Sequence, residues 1–282
     1  MMHGPDIIAR TLSTKRPFGP SKRMMQYHSR SDHHSKLCCW AIAFDLLATS
    51  SLLRQHVNEA KVCIGVNHTM VDFKTSRKKD LDLVIARPLA DQPVAKNSVN
   101  LSDIGESIGV ELTDNERAEF SALPAVERKI VGSVLVALEA KAVATEHKKS
   151  ESRMFDELNS SQATIHGAAD HAVAIGLALV NIADTFVSPG RQAPGGAPVV
   201  NAHKQPGAAE SMIVKLRELP RRSATGESGF DALGIMVVDL ANDGSPVTVD
   251  TQPPAPQLGD SDTYAAMVLR AASLYDYRFA TI

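Results

Sequence analysis

The sequence predicts an α/β domain, a mixed β-sheet flanked by helices. Two observations carry this. Apolar runs at 133–138, 177–183 and 232–239 have the length and composition of buried strands. Around them lie stretches whose apolar residues recur at helical spacing. At 282 residues the chain is long enough to bury a substantial core. Its 44% hydrophobic and 22% charged residues are ordinary for a globular protein. No apolar run approaches the roughly 20 residues of a membrane span, and the N-terminus has no apolar core of a secretory signal. Three cysteines, Cys38, Cys39 and Cys63, make no disulfide framework. The expected location is cytoplasmic, with no membrane partner.

Residues 1–34 are rich in Arg, Lys, Pro and Ser and are expected to form a basic, partly flexible arm. Residues 35–282 are expected to form one domain. From Ser35 to about Val57, Leu37, Trp40, Ala41, Phe44, Leu47 and Leu52 recur at helical spacing, and a short helical piece is expected over Glu59–Cys63. Alternation over 68–74 and 80–86, with a polar connection between, predicts a β-hairpin. It places Asp80, Asp82 and Val84 on one face and Leu81, Leu83 and Ile85 on the other. Helix starts are expected at Leu101 and at Thr113, where Glu116 completes a capping pattern.

The strand over 133–142 ends in Glu139-Ala140-Lys141. Side chains alternate along a strand, so Glu139 and Lys141 project together, roughly 6.5–7 Å apart. Val134, Val136, Leu138, Ala140 and Ala142 point into a core. A charged pair at the mouth of a buried strand is costly unless a metal or an anion uses it. A long helix then opens at Lys148, with Phe155, Leu158 and Ile165 in its buried stripe and Gly176 beyond its end. Residues 189–207, with four prolines and four glycines, read as a loop. A helix at about 208–218, a strand at 232–239 and an amphipathic helix over 262–279 complete the chain.

Asp82 or Asp80, followed on the next strand by Glu139-x-Lys141, resembles the PD-(D/E)xK nuclease superfamily. Lys79 and Leu81 stand where that pattern has a proline, and the spacing to Glu139 needs an inserted segment, which 101–130 supplies. The resemblance implies a restriction-endonuclease-like α-β-β-β-α-β core over about 35–187, with residues 208–282 elaborating the same sheet. It implies a Mg²⁺-dependent DNA endonuclease of restriction or defence type. In that reading Asp82, Glu139 and Lys141 are catalytic. Asp82, Glu139 and the Ala140 carbonyl bind Mg²⁺, or Mn²⁺ in its place, with Asp80 and Glu59 as further candidate ligands. Asp45 is an alternative helix acid to Glu59. Carboxylates and carbonyl oxygen are what Mg²⁺ prefers. Lys141 orients or deprotonates the attacking water. Many relatives act as homodimers.

Lys78, Lys79, Lys148, Lys149 and Arg153 are the candidate DNA-backbone contacts, joined by Gln162. That glutamine opens Gln162-Ala163-Thr164-Ile165-His166, where some recombination-type nucleases carry Gln-x-x-x-Tyr. Formal net charge is −2, so any nucleic-acid contact is confined to local basic clusters such as 10–36 and 74–79. His28, His33, His34, Cys38 and Cys39 match no standard zinc spacing. No Gly-x-Gly-x-x-Gly or Walker-type loop is present, so no nucleotide cofactor is expected, and Gly-x-Ser-x-Gly is absent. Two other functions fit the same residues. One is a nucleic-acid-binding or assembly protein without catalysis; the other is a metal-dependent hydrolase of small phosphate esters.

Overall fold

The computed structural model describes residues 2–18, 22–90, 99–192 and 198–282. In chain order the elements are α1 (Gly4–Ser13), β1 (Arg16–Phe18), β2 (Arg23–Met25), α2 (His33–Thr49), α3 (Ser51–Asn58), β3 (Cys63–Val71) and β4 (Lys78–Pro88). Then come α4 (Leu101–Ile108), α5 (Asp114–Ser121), β5 (Val131–Val143), α6 (His147–Ala168), β6 (Val173–Asn181), β7 (Thr185–Gln192) and β8 (Pro198–Ala202). The chain closes with α7 (Gly207–Arg217), β9 (Ala232–Asp239), β10 (Thr248–Asp250) and α8 (Tyr264–Arg278).

Six strands form one mixed sheet in the order β10-β9-β6-β5-β4-β3. β3, β4 and β5 run as an antiparallel meander, while β5, β6 and β9 are parallel. The parallel strands are joined through helices, as parallel pairing requires. Two apolar clusters cover the two faces. One gathers Ile7, Ile8 and Leu12 of α1, Trp40 and Phe44 of α2, and Met267 and Val268 of α8. The other gathers Leu158 and Ile165 of α6 with Met212 and Leu216 of α7. β6 is buried along its whole length, which explains its unbroken apolar sequence.

The hairpin, the β5 strand, the long helix and the 232–239 strand lie where the sequence predicts them, and the Thr113–Glu116 capping box forms. Several elements differ. α1 is not a loose arm: Ile7, Ile8 and Leu12 are fully buried, and Asp45 accepts from the backbone N–H of His3 and Gly4 at its start. The helix expected over 35–57 is two helices, bent by 97° where Ser50 leaves the first and caps the second. No helix covers 59–63; Glu59 ends α3 and β3 begins at Cys63. Gly176 lies within β6. The described part of 189–207 contributes to a two-stranded ribbon, β7 with β8, and 193–197 lie outside the described residues.

Strand faces also shift. A register irregularity between Ile85 and Ala86 leaves Leu135 as an extra residue, so Val134 joins the α6 side while Leu135 and Val136 join the α2 side. In β4, Leu81 sits with the α6-side cluster and Leu83 with the other. The switch falls opposite Asn67, which has φ 50° and interrupts the ladder between Val66–Leu83 and His68–Leu81. Among the described residues no single helix is long and apolar enough to cross a membrane. α2 and α3 pass such a test only as a bent pair, and α2 is mostly buried.

Candidate functional site

β4 and β5 pair as far as Leu83 opposite Leu138 and no further toward Asp82 and Glu139. Past that pair the two strands fork. β5 continues alone against β6, with Glu139 opposite Gly176 and Lys141 opposite Ala178. Asp82 and Glu139 therefore stand on the two prongs, one residue beyond the last shared rung. This is the structural reason that two acids distant in sequence feel one another.

Glu139 is buried, 1% exposed. Lys141 Nζ lies 2.9 Å from its Oε1 and Lys79 Nζ lies 3.6 Å from the same oxygen. Lys141 therefore gives Oε1 a close ammonium contact, while Oε2 is buried with no partner. The pairing is one of charge. Lys141 also lies 4.0 Å from Glu157 of α6. Burial alone would lower the Lys141 pKa, but Glu139, Asp82 and Glu157 outweigh it and raise the value, keeping the ammonium charged.

Asp82 is pushed up to about 6, by burial first and by the Glu139 charge second. Ser35 and Lys141 pull the other way. The Ser35 hydroxyl lies 3.0 Å from both Asp82 Oδ1 and the Asp32 carbonyl, which ties the start of α2 to the β4 prong. Ala140, Lys141 and Asp82 line a cleft of about 340 Å³ bounded elsewhere by Tyr27, residues 29–32, His34 and Ser35, and by Arg153 and Glu157 of α6. His34 in that wall is lowered to about 4 by burial, then by Lys141 and His33, and is neutral at pH 7. Tyr27 is pushed up to about 12 by burial and stays protonated.

The wall segment is held from far away. Asn242 Oδ1 accepts from the backbone N–H of Gln26 and Tyr27, and its Nδ2 donates to the carbonyls of Tyr27 and Val187. A residue just past β9 thus pins the segment that roofs the β4–β5 fork.

Of the sequence candidates, the fold gathers Asp82, Glu139, Ala140, Lys141, Lys79 and Arg153. Others are placed elsewhere. Asp80 extends outward and accepts from Thr69 on the neighbouring strand. Glu59 is exposed and pairs with Lys61 and Gln55. It precedes Cys63, which sits opposite Ala86, four residues and about 13 Å along β4 from Asp82. Asp45 is spent on the α1 terminus. Gln162 is buried, accepting from Gly229 N–H and donating to Asn159, so it braces the 229 loop rather than facing a ligand. His166 likewise contacts the Gly229 carbonyl. Lys148 and Lys149 are exposed beside Glu151 and Glu146, and Lys78 is exposed at the β4 start. Ser35, Glu157 and the 27–34 wall are additions to the sequence reading. Long-range ties from Asn242 and Gln26 bring the wall in, and no local pattern encodes them.

Two carboxylates and a neighbouring main-chain carbonyl are hard oxygen donors, with the Lys141 ammonium beside them. The Glu139 Oε2, buried with no partner, is an oxygen that a cation would satisfy, so the two carboxylates fit Mg²⁺. Among the described residues no three His, Cys, Asp or Glu side chains converge, so main-chain oxygen or water would have to complete the shell. Comparisons with family models, with characterised proteins and with solved structures found no match for this chain.

Proposed function

We propose that this protein is a Mg²⁺-dependent nuclease that hydrolyses phosphodiester bonds in DNA. The observation that carries the reading is the forked pair of strands. It sets the buried Glu139 carboxylate beside Lys141 and within electrostatic reach of Asp82, and Asp82 and Lys141 line the cleft. The meander β3-β4-β5, the α6 crossover and the parallel β6, preceded by α2 and α3, run in the α-β-β-β-α-β order of PD-(D/E)xK enzymes. That order supports the resemblance at the level of topology.

Asp82 and Glu139 would hold the metal, with the Ala140 carbonyl as a further oxygen. When bound, Mg²⁺ supplies charge stabilisation for the phosphate and acidifies water. Lys141 steadies negative charge developing on the phosphate and orients the attacking water. Glu157, 4.0 Å from Lys141, adds a second, weaker negative neighbour to that ammonium. Lys79 offsets the Glu139 charge from the β4 side.

The test is plasmid and oligonucleotide cleavage with and without Mg²⁺, using wild type, Glu139→Ala and Lys141→Ala. Mg²⁺-dependent nicking or linearisation by wild type, reduced at least about 100-fold in both variants, is the expected result. Unchanged cleavage by Lys141→Ala would remove that lysine from the chemistry. DNA retention with no cleavage under Mg²⁺ or Mn²⁺ would leave a binding protein. Turnover of small phosphate esters alone would indicate the other hydrolase.

A further inference from the structure

The catalytic cleft is the first of three concavities that adjoin one another. The cleft of about 340 Å³ shares Tyr27, Ser29 and Arg30 with a second of about 370 Å³, bounded by Thr145, Phe186 and Ser188. The second shares Thr145, Glu146 and Asn201 with a third of about 320 Å³, which reaches His203 and Lys204. Together they trace one groove outside the carboxyl ends of β5 and β6, the place where open α/β sheets receive ligands. From Lys141 to Thr145 alone the chain covers about 13 Å.

The charge along this groove is uneven. Arg30, Arg153 and Lys204 are all exposed and line it, and among the described residues none has an acidic partner within ion-pair distance. The third concavity also carries Lys148 and Lys149 in the first turn of α6. Cations at that end oppose the helix dipole, which favours acids there. That turn has no acid and no capping side chain. Lys148 and Lys149 are balanced by Glu151 and Glu146. Arg30, Arg153 and Lys204 are not so balanced, and they are spaced over all three concavities.

We infer that this groove seats an extended nucleic-acid strand, its phosphates met by Arg153 and Arg30 next to the cleft and by Lys204 at the far end. The inference rests on the nuclease reading for the strand's position over Asp82 and Glu139, but its own contacts lie outside those residues. The β7–β8 ribbon supplies one bank and the Asn242-anchored 27–30 segment the other. Partly unpaired cations set along a polar channel are the electrostatic form of backbone recognition, which is independent of base sequence.

The experiment measures binding of a fluorescein-labelled 20-mer, single-stranded and annealed to its complement, by anisotropy in EDTA at several salt concentrations. Proteins compared are wild type, Arg30→Gln/Lys204→Gln, and Lys61→Gln as a surface control away from the groove. The double variant is expected to bind at least about 10-fold more weakly, with a salt slope shallower by about 1.4 for single strands. Lys61→Gln should match wild type. Equal affinity and slope in the double variant, or no binding of either probe by wild type, would overturn the groove. Wild type that binds through Arg30 and Lys204 yet cuts nothing keeps the groove and sinks the nuclease reading. Wild type that cuts while the double variant binds normally sinks the groove alone.

Discussion

At the scale of single residues, the site is governed by which charges are left without partners. Asp82 holds its proton more tightly in the folded chain than in the unfolded one, with a value near 6. Its stabilising contribution is therefore present below about pH 4 and is lost as pH rises through 6. Asp82→Asn keeps the Ser35 contact and removes that loss. In EDTA its melting temperature should rise relative to wild type between pH 4 and 6 and stay higher above, as thermal melts across pH 4–8 will show. An equal difference at pH 4 and pH 8 would refute the raised value. Lys141→Met leaves Glu139 with only the more distant Lys79, and should cost about 2–3 kcal/mol, discounted for partial exposure. Glu139→Gln should cost less, because it removes the buried charge itself. Urea denaturation ranks the two. That Glu139 and Lys141 share a strand face was legible in the sequence because strand alternation is local. Which aspartate faces the fork was not, since the face switch at Asn67 depends on pairing between strands.

At the scale of elements, the loops at the opposite end of the sheet are tied together around Arg222, with Arg270 and Arg278 beside it. Arg222 is fully buried and donates to Asp231, to Asp170 and to the carbonyls of Asp170 and Ala172. Asp231 at the β9 start also receives Arg278 from α8 at 2.6 Å. Arg222→Met breaks ties to the α6–β6 loop and leaves Asp231 with Arg278 and the Ala174 N–H; about 3 kcal/mol of stability should be lost in urea melts. By contrast Arg217→Ala removes a half-exposed guanidinium and leaves the buried Asp262 with the more distant Arg221, so it should cost less than Arg222→Met, about 1–2 kcal/mol. Strands and long helices were readable from the chain because burial imposes periodicity. The β7–β8 ribbon was not: its proline and glycine content describes a loop, and only pairing such as Phe186 with Asn201 makes it a ribbon.

At the scale of the whole molecule, chain ends and middle share one interior. α1 packs against α2, Ser13 Oγ accepts from Val247 N–H beside β10, and Gln26 bonds to the Ser245 carbonyl. Its basic, proline-rich flanks made this region read as an arm, while Ile7, Ile8 and Leu12 were too few to announce a buried helix. Deleting residues 2–13 removes those three side chains and uncovers the apolar surface they pack on, losing about 1.5–3 kcal/mol for each. Such a loss rivals a domain's entire stability. The truncated chain is expected to unfold at low urea or to be recovered only as aggregate, whereas the full chain should show one cooperative transition. A stable truncated protein with native circular dichroism would refute this.

The margins of the six-stranded sheet carry one more consequence. On one side it stops at β10, three residues long. On the other, β3 has Ile64 already bonded to residues 127–129, and farther along its extended run is broken by the left-handed Asn67. Neither border offers a long, straight row of free amides to a stray chain. The protein is thereby guarded against strand-by-strand growth into fibrils, and the irregularity that re-aims Asp82 toward its cleft doubles as that guard.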